Sequence, residues 1–203
     1  MLAELREKLM KEISPRRFRH TLGVEEMVAR LCALFCPDQT PLLRAAALLH
    51  DLTKEKSEEE QISLCKRLGL ELSAQDLASP KLYHARTAAA LIPLEFPQFN
   101  DPVIVSAVRW HTTGRAGMTL EEKLLYLADY IDESRTFEGC VLLRRYFFGA
   151  FPERMDQRER EELLRMTLVL SYDMTVKDLL SEGCPVAEDT VAARNELILS
   201  AAK

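Results

Sequence analysis

Pro41-Leu42-Leu43-Arg44-Ala45-Ala46-Ala47-Leu48-Leu49-His50-Asp51 is the stretch on which the reading of this chain turns. Leucine and alanine are strong helix formers, and here they leave almost no polar side. A helix that is apolar nearly all round is a buried one. This one closes on a histidine and an aspartate. Burying such a pair without compensation carries a heavy desolvation cost. A divalent metal offsets that cost, because imidazole and carboxylate are both good ligands for first-row metals.

The flanking sequence is also helical in pattern. Upstream, Leu5, Leu9 and Ile13 mark an amphipathic helix that stops near Ser14-Pro15. A second runs from about Arg16 to Cys36, with Leu22, Met27, Leu31, Leu34 and Phe35 as its stripe and Pro37 as its end. Downstream, Ser57 with Glu60 has the spacing of a capping box and opens a helix that reaches Gly69. Further helices are predicted from Tyr83 to Ile92, ahead of Pro93, and from Asp101-Pro102 to His111. Residues 112–117 are a glycine-containing loop. Thr119 then caps a helix through Glu133, seamed by Leu120, Leu124, Leu127 and Ile131. A long helix spans Gln157 to Leu180, and one more ends the chain. No stretch alternates convincingly as a strand would. The expectation is an all-α bundle with short loops over residues 1–203, one domain in which the helices of 157–200 pack as a C-terminal extension.

Composition narrows the function. Only seven glycines in 203 residues favour helix over sheet. A net charge of -5 disfavours a general nucleic-acid binder, which usually carries a basic surface. A small anionic ligand stays open, since a few local cations and a metal outweigh the mean charge. The five cysteines are scattered, with no C-x-x-C pair, and read as reduced thiols. No apolar run approaches the ~18 residues of a membrane span. Glu4 and Glu7 fall where a signal peptide would have its apolar stretch. The expected setting is cytoplasmic, with no membrane partner. A homodimer is left open. Lys54-Glu55-Lys56 and residues 158–162 read as solvated charged faces.

The four histidines, His20, His50, His84 and His111, each lie at or near a helix end. Asp129 lies opposite the apolar seam of its helix, so periodicity alone makes it a solvated aspartate. The order His20, His50-Asp51, Asp129 nevertheless resembles the H…HD…D signature of the HD superfamily of metal-dependent phosphohydrolases. The local text is closer still. His20-Thr21-Leu22-Gly23-Val24, Leu48-Leu49-His50-Asp51-Leu52-Thr53-Lys54, Trp110-His111-Thr112-Thr113-Gly114-Arg115 and Tyr126-Leu127-Ala128-Asp129-Tyr130-Ile131 are similar to motifs of the YqeK family, the symmetrical bis(5'-nucleosyl)-tetraphosphatases.

That resemblance implies a two-metal site. His20, His50, Asp51 and Asp129 would hold one ion, and Asp51 would bridge to a second held by His84 and His111. Iron is the metal it suggests; manganese, cobalt or zinc suit the same ligands. With every histidine a ligand, the nucleophile is water activated by the metals. The implied substrate is diadenosine tetraphosphate or a relative, cut symmetrically into two nucleoside diphosphates. Lys54, Arg115 and Arg135 are candidate phosphate cations. Thr112, Thr113 and Gly114 are candidate substrate contacts in the loop after His111. The chain departs from the family text at Ala85, where glycine is common, and at Asp132-Glu133-Ser134, where Glu-Pro-Gly is common. Two other readings stand beside this one. The same metal site could release phosphate from mononucleotides or deoxynucleotides. A helical scaffold could also serve as a non-catalytic nucleotide-sensing or protein-interaction domain, although that would need no paired metals.

Overall fold

The computed structural model describes residues 1–200, and no strand occurs among them. The helices are α1 (Leu2–Glu12), α2 (Pro15–Phe35), α3 (Thr40–Leu49), α4 (Glu58–Arg67), α5 (Ala74–Leu77) and α6 (Tyr83–Glu95). They continue as α7 (Pro102–Trp110), α8 (Leu120–Ile131), α9 (Glu138–Gly149), α10 (Gln157–Ser181) and α11 (Glu188–Ser200). The protein is all-α.

Local chemistry sets most boundaries. Ser14 caps α2 by accepting from Arg17 N, with Pro15 in the first turn. Reciprocal capping boxes open α4 (Ser57–Glu60), α8 (Thr119–Glu122) and α10 (Asp156–Glu159). Three elements differ from expectation, among them the short α5, for which the sequence reading has no helix. α6 runs through Pro93 to Glu95 rather than stopping before it. Pro93 is exposed in the last turn. Its missing N–H and its clash with the carbonyl four residues back fall where the helix is already ending. α9 is absent from the reading of the sequence. It buries Cys140, Leu143 and Phe147 but leaves Leu142 and Tyr146 exposed, which blurs its stripe.

α3 is the central helix. It packs on α2, α7, α8 and α1, and Leu43, Ala46, Ala47, Leu48 and Leu49 are almost fully buried. Each such leucine contributes about 1.5–3 kcal/mol relative to exposure. α6 lies on α7, and α4 on α6. α10 packs against α9, α11, α8 and α2, and its Leu168 and Tyr172 join the same apolar cluster as α2, α3 and α8. This packing carries the ends of α3 and α7, the start of α6, and two faces on α2 and α8 to one place.

Candidate metal centre

Those elements bring together His20, His50, Asp51, His84, His111 and Asp129. Asp51 lies in the middle, in the turn that follows α3. Its Oδ2 faces His20 Nε2 at 3.7 Å and His50 Nε2 at 3.3 Å. Its Oδ1 faces His84 Nε2 at 3.3 Å and His111 Nε2 at 3.7 Å. Asp129 Oδ1 completes the first half, 2.9 Å from His20 Nε2 and 3.7 Å from His50 Nε2. Asp129 therefore faces the centre rather than solvent. Periodicity misplaces it because α8 is buried on more than one side: Leu125 and Ala128 are as buried as the seam residues Leu124, Leu127 and Ile131.

Each imidazole is held by its other nitrogen. The Nδ1 of His50, His84 and His111 lies 2.6, 2.8 and 2.7 Å from the carbonyls of Ala47, Lys81 and Val108, each three residues earlier. A carbonyl only accepts, so Nδ1 carries the proton and Nε2 presents a lone pair to the centre. His20 differs: its Nδ1 lies 3.4 Å from the Ser134 hydroxyl and forms an ion pair at 3.2 Å with Asp132 Oδ2. Asp132 is fully buried, and its other oxygen accepts from Ser134 N at 2.8 Å and from the Ser134 hydroxyl. The Asp132-Glu133-Ser134 segment thus fixes the carboxylate that orients His20.

These side chains fit a metal. The Nε2 atoms of His20 and His50 are buried with no hydrogen-bond partner. The Nε2 atoms of His84 and His111 face each other at 3.1 Å, and two lone pairs so placed call for a cation between them. The donor atoms of His20, His50 and Asp129 lie close enough to share one ion, as do those of His50, Asp51 and His111.

Electrostatics keep the ligands in ligating form. Burial alone would raise the Asp51 carboxyl, but the imidazoles of His50, His111 and His84 outweigh it and hold it well below the usual carboxylate range. Asp129 is likewise held down, against burial, by Arg135, His20 and His50. Burial pulls His84 well below the usual imidazole value, helped by the Lys54 ammonium. Burial pulls His111 down as well, despite Asp51. His20 is the exception: burial lowers it, but Asp129 and Asp132 override burial and raise it to about 9.

The cations around the centre are partly those expected. Lys54 Nζ lies 3.3 Å from His84 Nε2, half-buried rather than on a solvated face. Its neighbour Glu55 likewise is not merely solvated, accepting from Ser14 N at 2.9 Å. Arg135 Nη2 is 2.6 Å from Asp129 Oδ1. Arg17 pairs with Asp51 and was not anticipated. The signal was present, since Arg16, Arg17 and Arg19 immediately precede His20 and Arg17 is one helical turn before it. A cleft of ≈ 450 Å³ beside His20 is lined by Arg16, Arg17, Arg19 and Arg135.

The loop after His111 is divided. Thr112 Oγ1 lies 3.1 Å from the Nε2 atoms of both His84 and His111. Thr113 and Gly114 lie against neighbouring helices. The Thr113 carbonyl accepts from Thr190 on α11, and a Cβ on Gly114 would run into the Tyr172 hydroxyl of α10. Arg115 turns to the buried Glu122, 3.0 Å away, and to the Ala116 carbonyl.

The HD domain pattern matches residues 17–134, the segment that carries all six clustered residues. The chain belongs to the HD domain family of metal-dependent phosphohydrolases. Among its relatives, the symmetrical bis(5'-nucleosyl)-tetraphosphatase of Bacillus subtilis is 31% identical over 93% of this chain and 92% of its own length. The protein of the same name from Staphylococcus aureus is 33% identical over 87% and 89%. A predicted HD superfamily hydrolase from Clostridium acetobutylicum, described as involved in NAD metabolism, has a crystal structure that superposes with a TM-score of 0.84. That match is at 32% identity and covers 98% of each chain. Among the described residues no helix is long and apolar enough to cross a membrane.

Proposed function

We propose that this protein hydrolyses diadenosine tetraphosphate and related dinucleoside polyphosphates symmetrically, releasing two nucleoside diphosphates. The observation that carries this reading is the two-sided Asp51, whose oxygens face different histidine pairs. It is supported by relatives of that name matching almost end to end.

His20, His50, Asp51 and Asp129 would hold one ion, and Asp51, His84 and His111 the other. We infer iron, with manganese, cobalt or zinc able to substitute in a set of imidazoles and carboxylates. When bound, such a pair makes hydroxide available near neutral pH and polarises phosphoryl oxygens. The chain supplies the rest. Lys54 on the His84 side and Arg17 with Arg135 on the His20 side would take up phosphate charge. Cations on both sides would hold a tetraphosphate with its middle over Asp51. Thr112 would donate to a phosphoryl oxygen. Thr113, Gly114 and Arg115 hold the loop in this reading rather than the substrate. No imidazole is free as a general base, because each Nε2 points into the centre. The chain reads as one HD-type unit with α10 and α11 as its extension. Its five free thiols suit a reducing cytoplasm.

The test is hydrolysis of diadenosine tetraphosphate by metal-loaded protein in oxygen-18 water. ADP should be the sole initial nucleotide product, labelled on the terminal phosphate of half the molecules. AMP with ATP would overturn symmetry while leaving metal-dependent hydrolysis intact. No cleavage, beside brisk phosphate release from mononucleotides, would replace the substrate assignment.

A further inference from the structure

Beside the His84–His111 half of the centre lies a second cavity, of ≈ 350 Å³. Lys54 and Thr112 form part of its wall, and both touch His84 Nε2, at 3.3 and 3.1 Å. The cavity is therefore next to the metal centre, with Lys54 and Thr112 standing between the two. Much of the remaining wall is apolar: Pro80 and Leu82 ahead of α6, Leu179 near the end of α10, and Pro185 just beyond it. The cleft on the His20 side is of the opposite character, with four arginines in its lining.

Phosphate gains nothing from an apolar wall, because an unpaired charge brought against one loses its hydration. A flat, weakly polar ring gains from losing contact with water. Cavities of roughly this size, largely apolar with a few placed polar groups, are the usual seats of small organic ligands. We propose that this cavity is a nucleobase subsite. The base of one nucleoside diphosphate half sits among Leu82, Leu179 and Pro185, and Lys54 and Thr112 meet the first phosphates leading to the centre. The inference rests on the nucleotide-phosphohydrolase reading above and adds the place where the base is held. It also gives the C-terminal extension a role. Leu179 and Pro185 lie beyond residue 134, where the HD segment ends, so the extension supplies the wall that selects a nucleoside over a bare phosphate chain.

The cavity contains its own reporter, since Cys184 lines it as a half-buried free thiol. Metal-loaded full-length protein is alkylated with N-ethylmaleimide alone, with ADP, or with inorganic tripolyphosphate. Labelling of Cys184 is followed by peptide mass spectrometry, with Cys36 as internal reference. ADP at ten times its Kd should slow Cys184 alkylation roughly tenfold, and tripolyphosphate should not. Independently, Ala187 also lines the cavity, and Ala187→Trp, which enlarges that side chain, should raise KM for diadenosine tetraphosphate and Ki for ADP by on the order of tenfold or more. It should leave Ki for tripolyphosphate unmoved. If that variant does not fold, the alkylation of the parent chain decides alone. Cys184 labelled equally with and without ADP, or protected equally by tripolyphosphate, would overturn the subsite. Protection by ADP without hydrolysis of diadenosine tetraphosphate would keep the subsite and overturn the substrate assignment. Hydrolysis to ADP with an unprotected Cys184 would do the reverse.

Discussion

Asp51 has two functions at once, and its removal should show both. Its oxygens serve both histidine pairs, and the same carboxylate neutralises Arg17. Asp51→Ala should therefore empty both metal positions, as elemental analysis would read. The loss of turnover should exceed the roughly 10–100-fold cost typical of an outer partner. His84→Ala should keep the ion on the His20 side and lose the other. A His84→Ala protein as fast as its parent would refute the two-metal reading. A subtler test lies at Gly23. A Cβ there would come within 2.7 Å of Asp132 Oδ1, an oxygen already bonded to Ser134. Gly23→Ala must displace the carboxylate that orients His20. It should weaken metal binding by about 10–100-fold, measured by competition with a chelator, without touching any ligand. Unchanged affinity would mean that Asp132 does not position His20.

At the scale of elements, the helices were largely legible because caps and apolar stripes are local. Ser14, Ser57 and Thr119 act where the sequence places them. His50-Asp51 was legible because a leucine–alanine helix ending in charge is hard to explain without a partner. Asp129 was not legible from periodicity, since one seam cannot show that a helix is buried on several sides. Arg17 and Asp132 were missed because their partners are 34 and 112 residues away in the chain. Arg115 reads from the sequence as a loop cation beside a histidine motif, and the structure pairs it with Glu122, which is 1% exposed and also accepts from Ser106. Glu122 closes the capping box of α8, the helix that carries Asp129. Arg115→Ala should cost stability, about 1–3 kcal/mol for a buried carboxylate that keeps Ser106 and Thr119 as donors but loses its counter-charge, and leave KM for diadenosine tetraphosphate nearly unchanged. Denaturant unfolding and steady-state kinetics together check this. A large KM change at unchanged stability would return Arg115 to the substrate.

For the whole molecule, the centre is also a clasp. Its ligands come from α2, α6 and α8 and from the residues just past α3 and α7, so ions bound there tie those five helices together. A ligand that binds only the folded state stabilises it by about 2.7 kcal/mol at a hundred times its Kd. For a chain of this length each kcal/mol moves Tm by roughly 2–4 °C. Metal addition should therefore raise Tm by about 5–11 °C under those conditions. The gain should depend on pH with a definite sign. In the metal-free protein Asp129 and Asp132 raise His20 to about 9, above the 6.5 of an unfolded imidazole. That contribution is complete below about pH 6.5 and is lost as pH climbs through about 9. A metal needs His20 neutral, so at low pH it must first displace the proton. Metal-free Tm should fall between pH 6.5 and about 9, while the increment on adding metal widens over the same range. Differential scanning calorimetry on chelator-stripped and reloaded protein reads both curves. Parallel curves would show that His20 carries no proton for the metal to displace. Coincident curves would show that these six side chains hold no ion.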